Sequence, residues 1–404
     1  MTTLTPRNVP FSPPDITDLE KKYVMEALDS GWITTGPKTK TFEKQISAYT
    51  GASGTVCMNS ATAAMEMTLR MLGIGPGDEV ITSAYTYTAS ASVIEHVGAT
   101  IVLCDVSADS CLIDVEQLEH LITEKTKAII PVDIAGVLCD YDTIHRVIEN
   151  KKHLYQPNTE MQSLMGRITV ISDAAHSFGS SDKERLAGSI TDFTCFSFHA
   201  VKNLTTAEGG AVVWTPKTNI SDERIYQELM LWALHGQSKD ALSKTKPGAW
   251  EYDILKLGYK CNMADIAAAI GIAQLERYDD ILSKRAKVAK IYDELLVDKV
   301  EVLSHIGDTY RSNFHLYMLR VANIEESQRN AIIIKLAEQG VSANVHFKPL
   351  PMLSAYKNLG FDINDFPHAY NQYKNSLTLP IYATLSEEDA RYVCQALVAA
   401  LEEI

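Results

Sequence analysis

The sequence predicts an α/β protein: a large domain built on a mainly parallel central sheet, followed by a smaller α+β domain. Three observations carry this expectation. Between about residues 15 and 215, amphipathic helical stretches alternate with short β-rich runs, the order that builds strand–helix–strand units. Several of those runs are apolar at nearly every position, which suits strands covered by helices on both faces. From about residue 263 the pattern changes to long helical periodicity, then to a few strands and two further helices. The expected domains are therefore residues 15–262 and 263–404.

In chain order, DITDLEKKYVMEALDS reads as the first helix. GTVCMN, DEVITSAY, TIVLCDV, KAIIPVD, ITVISDA, FTCFSF and GGAVVW read as strands. ATAAMEMTLRMLG and DVEQLEHLITEKT are the crossover helices between some of them. The polar stretch 151–165 reads as an exposed insertion. Residues 263–298, MADIAAAIGIAQLERYDDILSKRAKVAKIYDELLVD, keep i, i+3, i+4 apolar spacing and read as one long helix. Strands near 313–321, a helix near 325–339 and a last helix near 386–403 complete the second domain.

Composition narrows the function. With 404 residues, 46% of them hydrophobic, the chain can bury a large core. A formal net charge of −14 argues against a nucleic-acid surface. It also means that an anionic ligand needs local N–H or cationic groups. The seven cysteines show no CxxC or Cys/His metal spacing, so no metal site is expected and reduced thiols in a cytoplasmic setting are the simplest reading. The polar, Pro-rich start MTTLTPRNVPFSPPD has no signal-peptide core, and no apolar run is long enough to span a membrane.

Three features lie where an apolar strand ends, which is where open parallel sheets bind ligands. In CMNSATAAMEM, Ser60, Ala61 and Thr62 open a helix. They form either an ordinary N-cap or an anion site made of free N–H groups. In ITVISDAAHSFG, Asp173 ends a strand without other charge. A buried acid needs a partner, either a neighbouring helix N-terminus or a protonated ring nitrogen. His176, three residues on, is either a satisfied core histidine or a cover for one face of a flat ring. In FSFHAVKNLTTAEGG, Ser197 and Lys202 lie between an apolar run and a Gly-Gly strand entry. Lys202 either snorkels to solvent or is a desolvated nucleophile, since an amine attacks a carbonyl only when neutral. A phosphate cradle, an acid for a pyridinium and an imine-forming lysine are together the parts that pyridoxal phosphate requires.

These residues also carry a resemblance. NSATAAM, YTYTAS, SDAAHSFG, SFHAVKNLTTAEGGAVV and GYKCNMADIAAAIGIAQLERYD resemble the DegT/DnrJ/EryC1/StrS aminotransferases, enzymes of fold type I that use pyridoxal 5'-phosphate on nucleotide-linked keto-sugars. The similarity runs from GWITTGPKTKTFEKQISAYTGA at 31–52 to the C-terminal helix. It implies that Lys202 carries the cofactor and shuttles a proton, and that Asp173 pairs with the ring nitrogen. It places His176 near the ring hydroxyl, Tyr87 against the ring, and Ala61, Thr62 and Ser197 at the phosphate. Asn262 is implied to reach the phosphate of a neighbouring subunit, in a homodimer with active sites at the interface. Trp32, Thr34, His235, His346, Phe347 and Lys348 are implied as substrate contacts. Relatives that replace the lysine by histidine are dehydratases; lysine here favours transamination. The resemblance implies L-glutamate as amino donor, a nucleoside-diphosphate keto-sugar as acceptor, most often a 4-keto-6-deoxy sugar, and an amino sugar for a surface polysaccharide or glycoconjugate.

Other readings stay open at this point. One is a 3-keto-sugar aminotransferase. Another is a fold-type-I enzyme acting on amino acids, for which Arg311, Arg320 and Arg329 are available as carboxylate holders. A desulfurase needs a mobile cysteine, and the cysteines here lie mostly in apolar, strand-like contexts. A non-catalytic regulator on the same scaffold could dispense with the lysine or the acid, and both are present. LGIGPGDEV has the wrong spacing, and the wrong place before a strand, for a nicotinamide fingerprint.

Overall fold

The computed structural model describes residues 5–215, 219–238 and 251–404. Helix α1 (Asp18–Asp29) starts at Thr17, whose side chain accepts from Leu19 N while Glu20 reaches back to close a capping box. Helix α2 (Pro37–Thr50) starts with a proline and ends at Gly51, which takes a left-handed conformation (φ 74°). The chain then lays down β1 (Gly54–Met58), α3 (Ala61–Met71), β2 (Glu79–Ser83), α4 (Ala89–His96), β3 (Thr100–Cys104), α5 (Val115–Leu121) and β4 (Thr126–Ile130). Helices α6 (Tyr141–Asn150) and α7 (Glu160–Met165) precede β5 (Thr169–Asp173). A small hairpin, β6 (Ser181–Asp182) and β7 (Arg185–Leu186), leads to β8 (Phe193–Ser197) and β9 (Gly210–Trp214), followed by α8 (Asp222–Ala233).

Seven strands form one sheet in the order β1-β9-β8-β5-β4-β2-β3. Each of the apolar runs read as a strand contributes one. Pairing is parallel from β8 through β5, β4 and β2 to β3. Only β9, which turns back through Gly209-Gly210, runs antiparallel to both β1 and β8. Burial is nearly complete along the central strands, as expected of a sheet covered on both faces.

In the C-terminal part, β10 (Glu301–Val302), β12 (Tyr317–Arg320) and β13 (Ser376–Leu379) form an antiparallel sheet. The two-residue β11 (Tyr310–Arg311) pairs instead with β6, forming a separate three-stranded sheet with the β6–β7 hairpin. Helices Tyr278–Leu296, Glu326–Glu338 and Glu387–Glu402 close a separate core around Tyr292, Tyr317, Leu336 and Leu397.

Two expectations need correction. Residues 263–298 are not one helix but two, Asp265–Glu276 and Tyr278–Leu296, broken at Arg277 (φ −117°, ψ 17°). The Arg277 guanidinium is drawn to Asp15 (2.6 Å) and Glu20 (2.7 Å) beside α1. The first helix packs on α1 and α2 so closely that a β-carbon on Gly271 would come within 2.4 Å of the Phe42 ring. The second joins the C-terminal core. Nor is the stretch 151–165 simply an exposed insertion. Its last turn is α7, capped by Thr159, and Met161 and Met165 at i, i+4 enter the large core. Buried Gln162, together with Asn158, holds Asp78 through bonds of 3.3 and 2.7 Å. Two methionines among polar residues are a faint helical signal.

Residues 5–14 are strapped onto the C-terminal part. Val9 pairs with Val341, and Arg7 binds Asp389 at 3.0 Å and also contacts Glu388. The next residues pass over the carboxyl ends of the large-sheet strands, against Val201 and His346.

Candidate active site

At those strand ends lies a cavity of about 440 Å³, within the size range of small-molecule sites. Three walls are set by local structure. The first is the start of α3. Ser60 is the N-cap, and its Oγ accepts from Ala63 N at 3.1 Å, which leaves the N–H groups of Ala61 and Thr62 for a ligand. Strand β9 passes directly beneath. A β-carbon on Gly210 would lie 2.3 Å from Ser60 C and 2.4 Å from Ala61 N. Both are backbone atoms, so only glycine permits this approach. Gly210→Ala is expected to cost about 1–3 kcal/mol of stability by overpacking and to weaken phosphate binding at the α3 terminus. Thermal denaturation with and without added pyridoxal phosphate checks both effects.

The second wall is Asp173. Its backbone is locked between the extension of β4 (Asp173 N to Pro131 O, 2.9 Å; Asp133 N to Asp173 O, 3.1 Å) and β8 (Ala174 N to Cys195 O, 3.0 Å). The carboxylate accepts from Ser90 Oγ at 2.6 Å and from Ala175 N at 3.2 Å. Among the described residues it has no ion-pair partner. Burial pushes its pKa up, and Ser90, Ala175 and Lys202 offset that only in part.

The third wall carries the lysine. Ser197 ends β8, one strand over from Asp173 in parallel register, and its Oγ accepts from His199 N at 3.4 Å. The chain then turns, with Lys202 N donating to His199 O at 2.9 Å and Thr206 N to Phe198 O at 2.8 Å. Lys202 lines the cavity. Burial of its amine lowers the pKa to about 8, against a smaller upward pull from Asp173. In the cofactor-free protein the amine is therefore mostly neutral above pH 8 and mostly charged below it. The rate at which Lys202 captures an aldehyde is expected to rise about tenfold per pH unit up to that point and then level off. Stopped-flow mixing with pyridoxal phosphate checks this. A rate that keeps climbing through pH ~9 would mean an ordinary lysine.

His176 also lines the cavity. Its Nδ1 accepts from Ala135 N at 3.3 Å, and its ring stacks on Phe347 at 5.7 Å. Burial, helped by the nearby charge of Lys202, keeps it neutral. Tyr87, 62% exposed, lies 5.9 Å from the Phe347 ring at the cavity mouth. His346 completes that side, its Nδ1 3.0 Å from Thr378 Oγ1.

Five residues from the sequence reading do not line this cavity: Trp32, Thr34, His235, Asn262 and Lys348. Three of them form a unit of their own. Trp32 Nε1 donates to Thr35 O at 3.1 Å, Asp265 N donates to Thr34 O at 3.2 Å, and Asn262 Nδ2 donates to Thr35 Oγ1. The carboxylate of Asp265, fully buried, accepts from Gly36 N, Lys38 N and Thr39 N at 2.7–3.0 Å. His235 and Lys348 are exposed elsewhere. Conversely, Phe11, Ser12, Ser90 and His315 belong to the site and were not singled out from sequence. Ser90 lies within YTYTAS and has a local signal. The others meet the site only through tertiary packing.

The arginines available to an amino-acid enzyme are engaged elsewhere. Arg329 is buried on the carbonyls of Tyr373 and Ser376, Arg320 binds Asn375, and Arg311 covers the Phe314 ring. All seven cysteines are free and buried, the inert rather than the reactive setting.

The donor set fits pyridoxal phosphate. The lining includes the N–H groups at the start of α3, a buried carboxylate whose charge is only partly offset, an amine with a lowered pKa, and the aromatic rings of Tyr87, His176 and Phe347.

Comparison with known proteins agrees. The model of the DegT/DnrJ/EryC1/StrS aminotransferase family matches residues 14–398. The spore coat polysaccharide biosynthesis protein SpsC of Bacillus subtilis is 37% identical over 394 residues, covering 96% of each chain. The UDP-4-amino-4-deoxy-L-arabinose–oxoglutarate aminotransferase of Shewanella sediminis is 35% identical over 405 residues, covering 98% of each. Among solved structures, Spr1654 of Streptococcus pneumoniae in its PMP-form superimposes with a TM-score of 0.96 at 50% identity, over 98% of this chain and 100% of that one. Helicobacter pylori PseC, an aminotransferase of pseudaminic acid biosynthesis, gives 0.85 at 27% identity, over 98% and 100%.

Proposed function

Since the chain belongs to the DegT/DnrJ/EryC1/StrS aminotransferase family and is a pyridoxal-phosphate-dependent aminotransferase, we propose that it transfers an amino group from L-glutamate to a nucleoside-diphosphate keto-sugar. The acceptor is a 4-keto-6-deoxy sugar, and the product is an amino sugar for a surface polysaccharide or glycoconjugate. The observation that carries this reading is that Asp173, at the end of β5, and Lys202, in the turn after the neighbouring β8, line one cavity. When bound, pyridoxal phosphate supplies a ring that takes up the electrons released when a proton leaves the amine-bearing carbon.

The protein's own groups do the rest. The α3 N–H groups would hold the phosphate, with Ser197 beside them. Asp173, held by Ser90 and Ala175, would keep a proton on the ring nitrogen, a role its buried carboxylate without an ion-pair partner among the described residues supports. Lys202 holds and moves a proton at its Nζ, which a pKa near 8 suits. Tyr87 and His176 would flank the ring, with Phe11, His346 and Phe347 on the wall around them.

The choice of a sugar over a 2-oxo acid as acceptor rests on the names of the relatives and on the engagement of Arg311, Arg320 and Arg329 outside the cavity. Trp32, Thr34 and Asn262 do not line their own chain's cavity, which supports a homodimer in which they serve the partner's site. Free, buried cysteines support a cytoplasmic enzyme, and among the described residues no helix is long and apolar enough to cross a membrane.

The test is a panel of dTDP-, UDP- and GDP-linked 3- and 4-keto sugars with L-glutamate, read by mass spectrometry. An aminated 4-keto sugar is the expected product. Turnover of 2-oxo acids with no aminated sugar would overturn the reading.

A further inference from the structure

The segment Ser312–His315 enters the cavity from the C-terminal part and is held more firmly than a connection needs to be. Phe314 adopts φ +54°, a left-handed conformation that an aromatic residue rarely takes. Around it, Asn313 N donates to Ser180 Oγ at 3.0 Å and Asn313 Nδ2 to Phe178 O at 2.9 Å. Behind it, the buried Arg285 donates to Phe314 O at 3.0 Å and to His315 O at 2.5 Å. What these contacts fix is the imidazole of His315, 4% exposed and on the cavity wall. A backbone out of its ordinary range, over-determined by its surroundings, is the pattern of a functional position.

The neighbours also settle which ring nitrogen carries the proton. Asn203 Nδ2 donates to Asn313 O at 2.7 Å, so Asn203 Oδ1 is turned to the His315 Nδ1, 3.0 Å away. A carbonyl oxygen only accepts, so Nδ1 bears the hydrogen and Nε2 is left with its lone pair. His176 is the reverse. Its Nδ1 accepts from Ala135 N, so its Nε2 bears the hydrogen. The two rings are 4.5 Å apart. Neither Nε2 makes a hydrogen bond among the described residues, and neither is among the sealed, partnerless nitrogens. Both therefore face the cavity, one as donor and one as acceptor. A keto oxygen or a phosphate matches only a donor. A hydroxyl matches both.

We infer that His315 is a further ligand-binding residue of this site, whose Nε2 accepts a hydrogen bond from a hydroxyl group beside the N–H of His176, with Asn203 as the positioning residue that fixes the ring. This rests on the reading under Proposed function, and two hydroxyls qualify, that of the cofactor ring and that of the sugar.

Binding measurements on the full chain separate them without needing turnover. Apo-protein is titrated with pyridoxal phosphate and with its 3-deoxy analogue; protein loaded with pyridoxamine phosphate is titrated with UDP-glucose and with UDP. His315→Leu is expected to lose roughly tenfold in affinity, the scale of one hydrogen bond, for pyridoxal phosphate and not its 3-deoxy analogue, or for UDP-glucose and not UDP, which lacks the glucose hydroxyls. The pair affected identifies the source. His315→Gln, which can offer an amide N–H to Asn203 and a carbonyl to the cavity, is expected to recover most of the loss. If His315→Leu binds all four probes as the parent does, or loses affinity for both members of a pair alike, the inference is wrong. Failure of the keto-sugar panel alone would count against the proposed acceptor and leave these titrations readable.

Discussion

Replacing Lys202 with alanine is expected to lower kcat by about four orders of magnitude, the upper end of what a positioned proton-transfer group contributes. Among the described residues no other lysine lines the cavity, so none of them stands ready to take over. The stability of the cofactor-free protein is expected to move the other way. Lys202 has a folded-state pKa of about 8, below the usual 10.5, so the folded state pays for a buried charge wherever the amine is protonated. That cost is full below pH 8 and fades as pH rises toward 10.5. Lys202→Met, which keeps the side chain's packing, should therefore melt higher than the parent at neutral pH, with the gap closing in alkali. Steady-state kinetics and melting curves against pH check the two halves. A variant that keeps a tenth of the activity would remove the lysine from the chemistry.

Asp173→Asn is expected to cut activity by about two to four orders of magnitude, the ~3–5 kcal/mol scale for removing one partner of a buried charge pair. Again the cofactor-free protein should respond oppositely. Burial raises the Asp173 pKa above its unfolded value, so folding favours the protonated carboxyl, and the ionised group becomes a burden as pH rises through the folded value. The variant should thus be the more stable one at neutral pH, and its advantage should shrink in acid. Added pyridoxal phosphate should stabilise the parent more than the variant, because only the parent offers a carboxylate to a protonated ring nitrogen. Equal stabilisation of both would show that Asp173 does not meet the ring.

Strands were legible because the central runs, such as KAIIPVD and FTCFSF, are apolar on both faces, a signal that needs no tertiary knowledge. The core of the site was legible for a related reason. Ser60, Asp173 and Lys202 each sit where such a run stops, and a charged or capping residue stands out at that point. The break at Arg277 was hidden, because the apolar spacing continues through it; the partners that end the first helix, Asp15 and Glu20, lie more than 250 residues away. Phe11 and His315 were hidden in the same way. Phe11 belongs to a strap anchored on the C-terminal part, and the role of His315 depends on Asn203 and Asn313, which only the fold brings to it. The unit of Trp32, Thr34 and Asn262 was read residue by residue from the resemblance, whereas its cohesion comes from Asp265, a buried carboxylate with no feature in sequence to mark it.

The decisive measurement is covalent. The purified chain is incubated with pyridoxal phosphate, reduced with borohydride and digested, and its lysine-containing peptides are weighed. The reduced cofactor is expected on Lys202 alone, and in lower yield in Asp173→Asn. A cofactor fixed to another lysine, or found on none, would contradict the assignment of this cavity.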